Sequence, residues 1–210
     1  MKAGLLSGAA ALLFATGAHA ALLNGGFENP VIRSNSFSTF TTIPGWSVTP
    51  TTAGIEVWHQ PFNGVSAYEG TQFVELNSTQ TTTIHQDVAG IGLGQSVAYQ
   101  FAHRGRQGTD TMRFTATDLG SDGVFGTGDD TVLVTRVVSD GTTGWGFYSG
   151  SGIVALGNAI RLQFAAVSPG GSVGNFLDAV KFAIPEPGAF ALTGLSLALL
   201  FASRRRRESA

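Results

Sequence analysis

Between residues 54 and 182 the chain alternates apolar and polar positions with period two, the signature of strands with one buried face. In Gln95–Phe101, Val97, Tyr99 and Phe101 share a face. In Thr111–Thr117, Met112, Phe114 and Ala116 share one face, and Thr111, Arg113 and Thr115 the other. Ile160, Leu162 and Phe164 alternate with Arg161 and Gln163, and Thr131–Val138 is β-branched over most of its length. The same pattern predicts strands near Gly54–Trp58, Thr71–Leu76, Thr82–Val88, Trp145–Tyr148 and Phe176–Phe182. Glycine, 29 residues in all, punctuates these runs, as in Gly90-Ile91-Gly92-Leu93-Gly94 and Pro169-Gly170-Gly171. No amphipathic helix of useful length interrupts them, and no tandem repeat is evident. About eight to ten short strands separated by turn signals predict an all-β domain, a single β-sandwich of jelly-roll form.

Both ends break the pattern. Lys2 gives a positive start, Ala9–Ala15 an apolar stretch, and Ala18-His19-Ala20 an A-x-A cleavage site. Residues 1–20 therefore read as a signal peptide, removed by signal peptidase, with a mature start at Ala21. At the other end Pro185-Glu186-Pro187 precedes fifteen uncharged residues, Gly188–Ala202, then Ser203 and four arginines, Arg204, Arg205, Arg206 and Arg207. A full bilayer span takes about 20 residues, so a transmembrane helix over 188–202 is slightly short. The arginines snorkel to the headgroups and extend its reach, and basic flanks stay cytoplasmic. Pro-Glu-Pro disfavours helix upstream and keeps that stretch extended. An ordinary single-span anchor accounts for the apolar run and the arginines but not for Pro-Glu-Pro. The domain boundaries that follow are 1–20, 21–183 and 184–210.

The order Pro185-Glu186-Pro187, apolar run, Arg204–Arg207 resembles the PEP-CTERM sorting signal of bacteria that make extracellular polysaccharide. The resemblance covers only the tail. It implies an address that an exosortase-type membrane enzyme reads and removes. The expected route is an inner-membrane precursor followed by the cell-envelope surface or the extracellular matrix.

Trimming the ends changes the charge balance. The chain has 12 basic and 14 acidic residues; without Lys2, Arg204–Arg207, Glu186 and Glu208 the domain keeps 7 and 12, a net charge near −5. Such a surface is a poor phosphate binder, so nucleic acid is not an expected partner. It suits a divalent cation better. With no cysteine, disulfides and thiolate metal sites are excluded although export would permit the former.

Asn24-Gly25-Gly26-Phe27-Glu28 opens the domain, Ile43-Pro44-Gly45-Trp46 and Ile55-Glu56-Val57-Trp58 follow, and Phe176-Leu177-Asp178-Ala179-Val180 closes it. This order resembles the galactose-binding-like jelly rolls, which include several carbohydrate-binding modules; the first and last segments carry most of the likeness. The resemblance implies a structural calcium shared by Glu28 and Asp178, although this chain has Ala179 where such modules carry a polar or second acidic residue. Independently, Asp178 lies in phase with Phe176, Val180 and Phe182, and a carboxylate on an apolar face must be paired, hydrogen-bonded or metal-bound. Loop amides or an arginine would satisfy it as well. A second acidic set, Asp118, Asp122, Asp129 and Asp130, lies in a hairpin loop. It lacks the EF-hand pattern and reads either as a weak calcium site or as a solvated turn.

Glu56 and Trp58 share a strand face, and Tyr68, Arg104, Trp145 and Tyr148 add planar or hydrogen-bonding groups, with His59 and Arg106 nearby in sequence. These are the materials of sugar recognition: aromatic planes for C–H faces, charged groups for hydroxyls. Trp46 is the expected core tryptophan and Trp145, between Gly144 and Gly146, the expected exposed one. The run His103-Arg104-Gly105-Arg106 suits an acidic polysaccharide, or an ion pair with Glu69 or Asp110. Catalytic motifs are absent. Glu56 and Glu75 alone offer a glycosidase-type pair, and Glu75 alternates outward from Val74 and Leu76. The leading expectation is a non-catalytic exported protein that binds extracellular polysaccharide. The alternatives are a structural surface protein with protein partners and, last, a glycoside-active enzyme.

Overall fold

The structure, a computed structural model, describes residues 22–184; the expected signal peptide and the expected sorting tail lie outside the described residues. Eleven strands form, with one turn of 3-10 helix at Phe62–Gly64. They are β1 Ser36–Phe40, β2 Ser47–Thr49, β3 Ile55–His59, β4 Gln72–Glu75, β5 Thr83–Ala89, β6 Ser96–Arg104, β7 Asp110–Asp118, β8 Thr131–Asp140, β9 Gly146–Val154, β10 Ala159–Ser168 and β11 Phe176–Ala183. All nine predicted strands are present. β1 and β2 are additional. Among the described residues no helix is long and apolar enough to cross a membrane.

Two antiparallel sheets make the expected sandwich. One has the order β1-β3-β4-β11-β6-β9 and the other β2-β5-β10-β7-β8. Period-two alternation sends Val57, Val74, Phe101 and Leu177 of the first sheet and Ile84, Leu162, Phe164 and Phe114 of the second into a common core. Aromatic rings fill its centre: Phe101 meets Phe164 edge-on at 5.3 Å, and Tyr99 lies 4.6 Å from Phe114. Trp46 is buried as expected, 6.0 Å from Phe164 and 5.4 Å from Phe27, with its Nε1 donating to the Asn24 carbonyl.

A polar seam ties the sheets at one side. Buried His103 has Nδ1 2.8 Å from Asp140 Oδ2 and Nε2 2.9 Å from Asn175 Oδ1, and Tyr148 Oη donates to the same Asp140 oxygen. Burial and this acceptor push the Tyr148 hydroxyl up to about 12. The edge strands β8 and β9 lie on this side. Register shifts by one residue at Leu133 of β8, and Arg136 Nη1 donates to the Ser149 carbonyl of β9 at 2.9 Å.

Strand β11 carries its own irregularity. Asp178 pairs with Ala102 but Lys181 with Gln100, so one extra residue sits between them, and Ala179 adopts φ +51. Phe176 and Asp178 therefore face out of the sandwich while Val180 and Phe182 face in. The uniform phase expected for Asp178 does not hold, because the bulge reverses it. Val180 is fixed by donating to the Gly25 carbonyl at 2.9 Å, and a Cβ at Gly25 would collide with the Val180 carbonyl oxygen. Gly25→Ala is expected to cost about 1–3 kcal/mol, as overpacking does, visible as a lowered midpoint in denaturant titration; an unchanged midpoint would show that the opening segment can move away from β11.

Candidate functional site

The outer face of the six-stranded sheet carries buried aromatic side chains beside charged ones. One register row runs Phe37–Trp58–Phe73 across β1, β3 and β4, and a second runs Glu56–Glu75–Phe176–Arg104 across β3, β4, β11 and β6. Trp58, Phe73 and Phe176 are fully buried there, together with Val65. What covers them is the connection from β3 to β4, residues 60–71, which crosses the sheet as a strap. Phe62 packs on Trp58 at 4.8 Å and on Phe37 at 5.6 Å. Further along, the Ser66 carbonyl accepts from Trp145 Nε1 at 2.9 Å, and the Tyr68 ring stacks on Phe147 of β9.

Two carboxylates pin the strap. Asp178 Oδ2 accepts the amides of Tyr68 at 2.8 Å and Glu69 at 3.0 Å, and Oδ1 accepts the Ala179 amide. Glu28 Oε1 accepts the amides of Thr71 and Gln72, and Oε2 accepts the Thr71 hydroxyl. Lys181 adds an exposed ion pair to Glu69 at 2.7 Å, worth little in water. Burial first, and the Glu28 carboxylate last, raise the Asp178 carboxyl to about 7 against the pull of its three amides. Among the described residues neither Glu28 nor Asp178 meets a basic side chain, and no three His, Asp or Glu side chains converge as a metal cluster.

Glu56 and Glu75 face each other across β3 and β4. Neither opens to solvent as the outward phase of Glu75 suggested: both are buried. Glu56 accepts from Trp58 Nε1 at 2.7 Å. Glu75 is held by Arg106 Nη1, 2.7 and 2.9 Å from its two oxygens, and by the Gly174 amide. Burial pushes the Glu75 carboxyl up to about 8, and Glu56 adds to this. The Arg106 guanidinium also covers the Trp58 ring at 4.7 Å. Arg106 thus pairs with Glu75, not with Glu69 or Asp110 as the run 103–106 suggested; Asp110 instead accepts the Arg106 backbone amide.

Of the expected ligand residues, the structure brings Tyr68, Trp145 and Arg104 to one corner, near the β9 edge. Tyr68 and Phe147 are 43% and 49% exposed, nearly parallel at 6.0 Å, and Trp145 meets Tyr68 at 6.3 Å. Arg104 donates to the Thr142 carbonyl, and its Nε is buried without a partner. Trp145 is half-buried against Phe73 rather than freely exposed. Glu56 and Trp58 lie beneath the strap, and Tyr148 faces the other way, against Phe101 at 5.4 Å with Arg136 over its ring. Phe147 was not expected; its alternation with Tyr148 is the signal that places it on the outer face.

The hairpin acids do not converge. Asp118 is buried and accepts the amides of Gly120, Leu156 and Gly157. Asp122 and Asp130 accept the amides of Val124 and Gly126. Asp129 accepts from Thr127 and Ser121, which holds its carboxyl down at about 2. Asp122, Asp129 and Asp130 cap their own loop, and Asp118 ties it to the connection after β9.

No family model matches the chain, and no curated protein matches it. Among solved structures it is similar to the CBM22-1 xylan-binding domain from Paenibacillus barcinonensis Xyn10C, at 12% identity over 75% of this chain and 99% of that one, TM-score 0.48. It is also similar to a CBM4 structure, at 11% identity over 77% and 98%, TM-score 0.46. A third is TmCBM61 in complex with beta-1,4-galactotriose, at 18% over 77% and 95%, TM-score 0.43.

Asp178 gives a pH signature. Its folded-state pKa lies above the unfolded value, so from about pH 4 to about pH 7 the folded state holds a proton that the unfolded state has released. Stability therefore falls as pH rises through that window, and Glu75 adds a slope of the same sign up to about pH 8. In chelator, Asp178→Asn should flatten the fall between about pH 4 and 7; an unaltered slope in urea titrations would rule Asp178 out as its source.

Proposed function

We propose that this chain is an exported, exosortase-sorted protein of the bacterial cell surface or extracellular matrix, whose β-sandwich binds extracellular polysaccharide without catalysis. The observation that carries the binding reading is the corner formed by Tyr68, Phe147, Trp145 and Arg104. It offers exposed aromatic planes for the C–H faces of sugar rings and, next to Trp145 in register, the Arg104 guanidinium, whose Nη2 donates to the Thr142 carbonyl. Opposed to a catalytic role, the one facing carboxylate pair is buried and occupied by Arg106, Trp58 and Gly174. Signal peptidase and an exosortase are the processing partners in this reading, resting on Ala18-His19-Ala20 and on Pro185-Glu186-Pro187 with its arginines.

A calcium ion near Glu28 and Asp178 belongs to the same proposal. The Asp178 carboxyl, raised mainly by burial and least by the Glu28 carboxylate, with no basic side chain against it among the described residues, marks a place where a cation would offset the cost of the buried charge. Calcium takes six to eight oxygens, carbonyls included, so the two side chains would supply only part of the shell. When bound, the ion would brace the strap against β11.

Glycan-array binding by residues 21–184, run in calcium and in chelator, tests the binding reading. Selective capture of polysaccharide that is lost in Tyr68→Ala/Phe147→Ala is the expected result, and weakening in chelator would tie it to the ion. No binding by a folded domain in either condition would move the reading to a structural surface protein. The sorting reading is tested separately in cells. Replacing Arg204–Arg207 with neutral residues should leave an unprocessed or mislocalised precursor, whereas normal processing would discard it.

A further inference from the structure

The two ends of the sandwich differ in character. Register places the connections 90–95, 119–130 and 155–158 at one end: Ala89 pairs with Ala159, Asp118 with Ile160 and with Thr131, and Ser96 with Val154. The same end receives the close of β11, where Ala183 pairs with Ala98. Leu93 is 78% exposed there, Leu156 52% and Val154 49%, with Val124 exposed on the neighbouring loop. Leu93 and Leu156 are brought side by side because the Gly94 amide donates to the Ala155 carbonyl and the Ala155 amide to the Gln95 carbonyl. Among the described residues, the loops at the opposite end, 50–54, 76–82, 105–109, 141–145 and 169–175, carry no exposed large apolar side chain. Exposed aliphatics occur elsewhere too, at Leu23, Val31, Val137 and Val167, and singly they are ordinary; at this end Leu93, Val154 and Leu156 sit on adjoining segments joined by backbone hydrogen bonds.

Chain length supplies the occupant. Only Pro185, Glu186 and Pro187 separate Ile184 from the uncharged run Gly188–Ala202. Three residues reach at most about 11 Å. With that run in a bilayer, this end of the sandwich lies against the membrane surface, and the apolar tips point where headgroups meet acyl chains. We propose that the loop end bearing Leu93, Val154, Leu156 and Val124 is a lipid-docking surface of the membrane-inserted precursor. This rests on the sorting-tail reading above. The contact is apolar, not electrostatic: the loop beside it carries Asp118, Asp122, Asp129 and Asp130, whose oxygens cap loop amides, so anionic lipid adds no attraction. Zwitterionic lipid is sufficient. Docking fixes the long axis of the sandwich upright and turns the Tyr68–Phe147 corner sideways, clear of the bilayer.

The absence of cysteine permits single labels without background. The full chain is reconstituted in phosphatidylcholine vesicles with an environment-sensitive fluorophore at Leu93→Cys, Leu156→Cys, Gly170→Cys or Leu195→Cys, with and without nitroxide-bearing lipid. Position 195 reports the tail itself. The expected result is blue-shifted emission, lost to the lipid nitroxide, at positions 93, 156 and 195, and neither change at 170. Quenching at 195 with positions 93 and 156 behaving like 170 overturns the docking and leaves the tail reading intact. A blue shift at 93 and 156 without nitroxide quenching would mean that protein covers the patch, and overturns it too. No quenching at 195 removes the tail reading and the docking with it.

Discussion

A six-stranded sheet with apolar side chains on both faces has to be covered twice. The second sheet covers one face, and the strap from β3 to β4 covers the other. Backbone amides on the strap have no ladder to join, and amides buried without acceptors are costly. Asp178 and Glu28 supply acceptors for three of them, Tyr68, Glu69 and Thr71, and also accept from Ala179, Gln72 and the Thr71 hydroxyl. The position of every aromatic on that face follows. Trp58, Phe73 and Phe176 become a small second core, and rings at the margins, Phe37 at one side and Tyr68 and Phe147 at the other, keep a face in water. The closing strand accommodates this by its bulge, which turns Asp178 towards the strap while Val180 and Phe182 stay in the main core.

Period-two alternation made most of the sandwich legible, because nine strands have one face in a single core and the other in water or under thin cover. β1 and β2 escaped it for different reasons. β2 is three residues long, too short to show a period, and β1 presents Ser36, Ser38 and Phe40 on one side with Phe37 and Thr39 on the other, a mixed pattern on an edge strand. The site was less legible. Glu56, Trp58 and Glu75 point away from the main core as read, but outward does not mean exposed when a loop returns over the sheet. Nothing in 60–71 announces that it will lie flat: its single 3-10 turn and its hydrogen bonds to residues more than a hundred positions away are tertiary properties. The bulge at Ala179 is equally silent, since alanine is not a residue that signals φ +51. By contrast Trp46 was readable, because a tryptophan next to a Pro-Gly turn at the start of a sandwich has little option but the core.

The functional picture combines parts that differ in kind. In the proposed function, polysaccharide recognition depends on which aromatic planes face water, and the strap governs that. Sorting is a matter of sequence beyond Ile184. Among the described residues the facing pair Glu56 and Glu75 is closed off by Trp58 of the same strand as Glu56 and by Arg106 from the β6–β7 connection.

The seam where β8 and β9 run side by side has a colloidal meaning. Each is the last strand of its sheet, nine or ten residues long, and an unpaired edge of that length is a template for joining another molecule. Here the extra residue at Leu133 interrupts one template, and Arg136 engages a backbone carbonyl of the other. At high local density the protein would thereby remain a dispersed set of sandwiches, kept from strand-to-strand fibre growth.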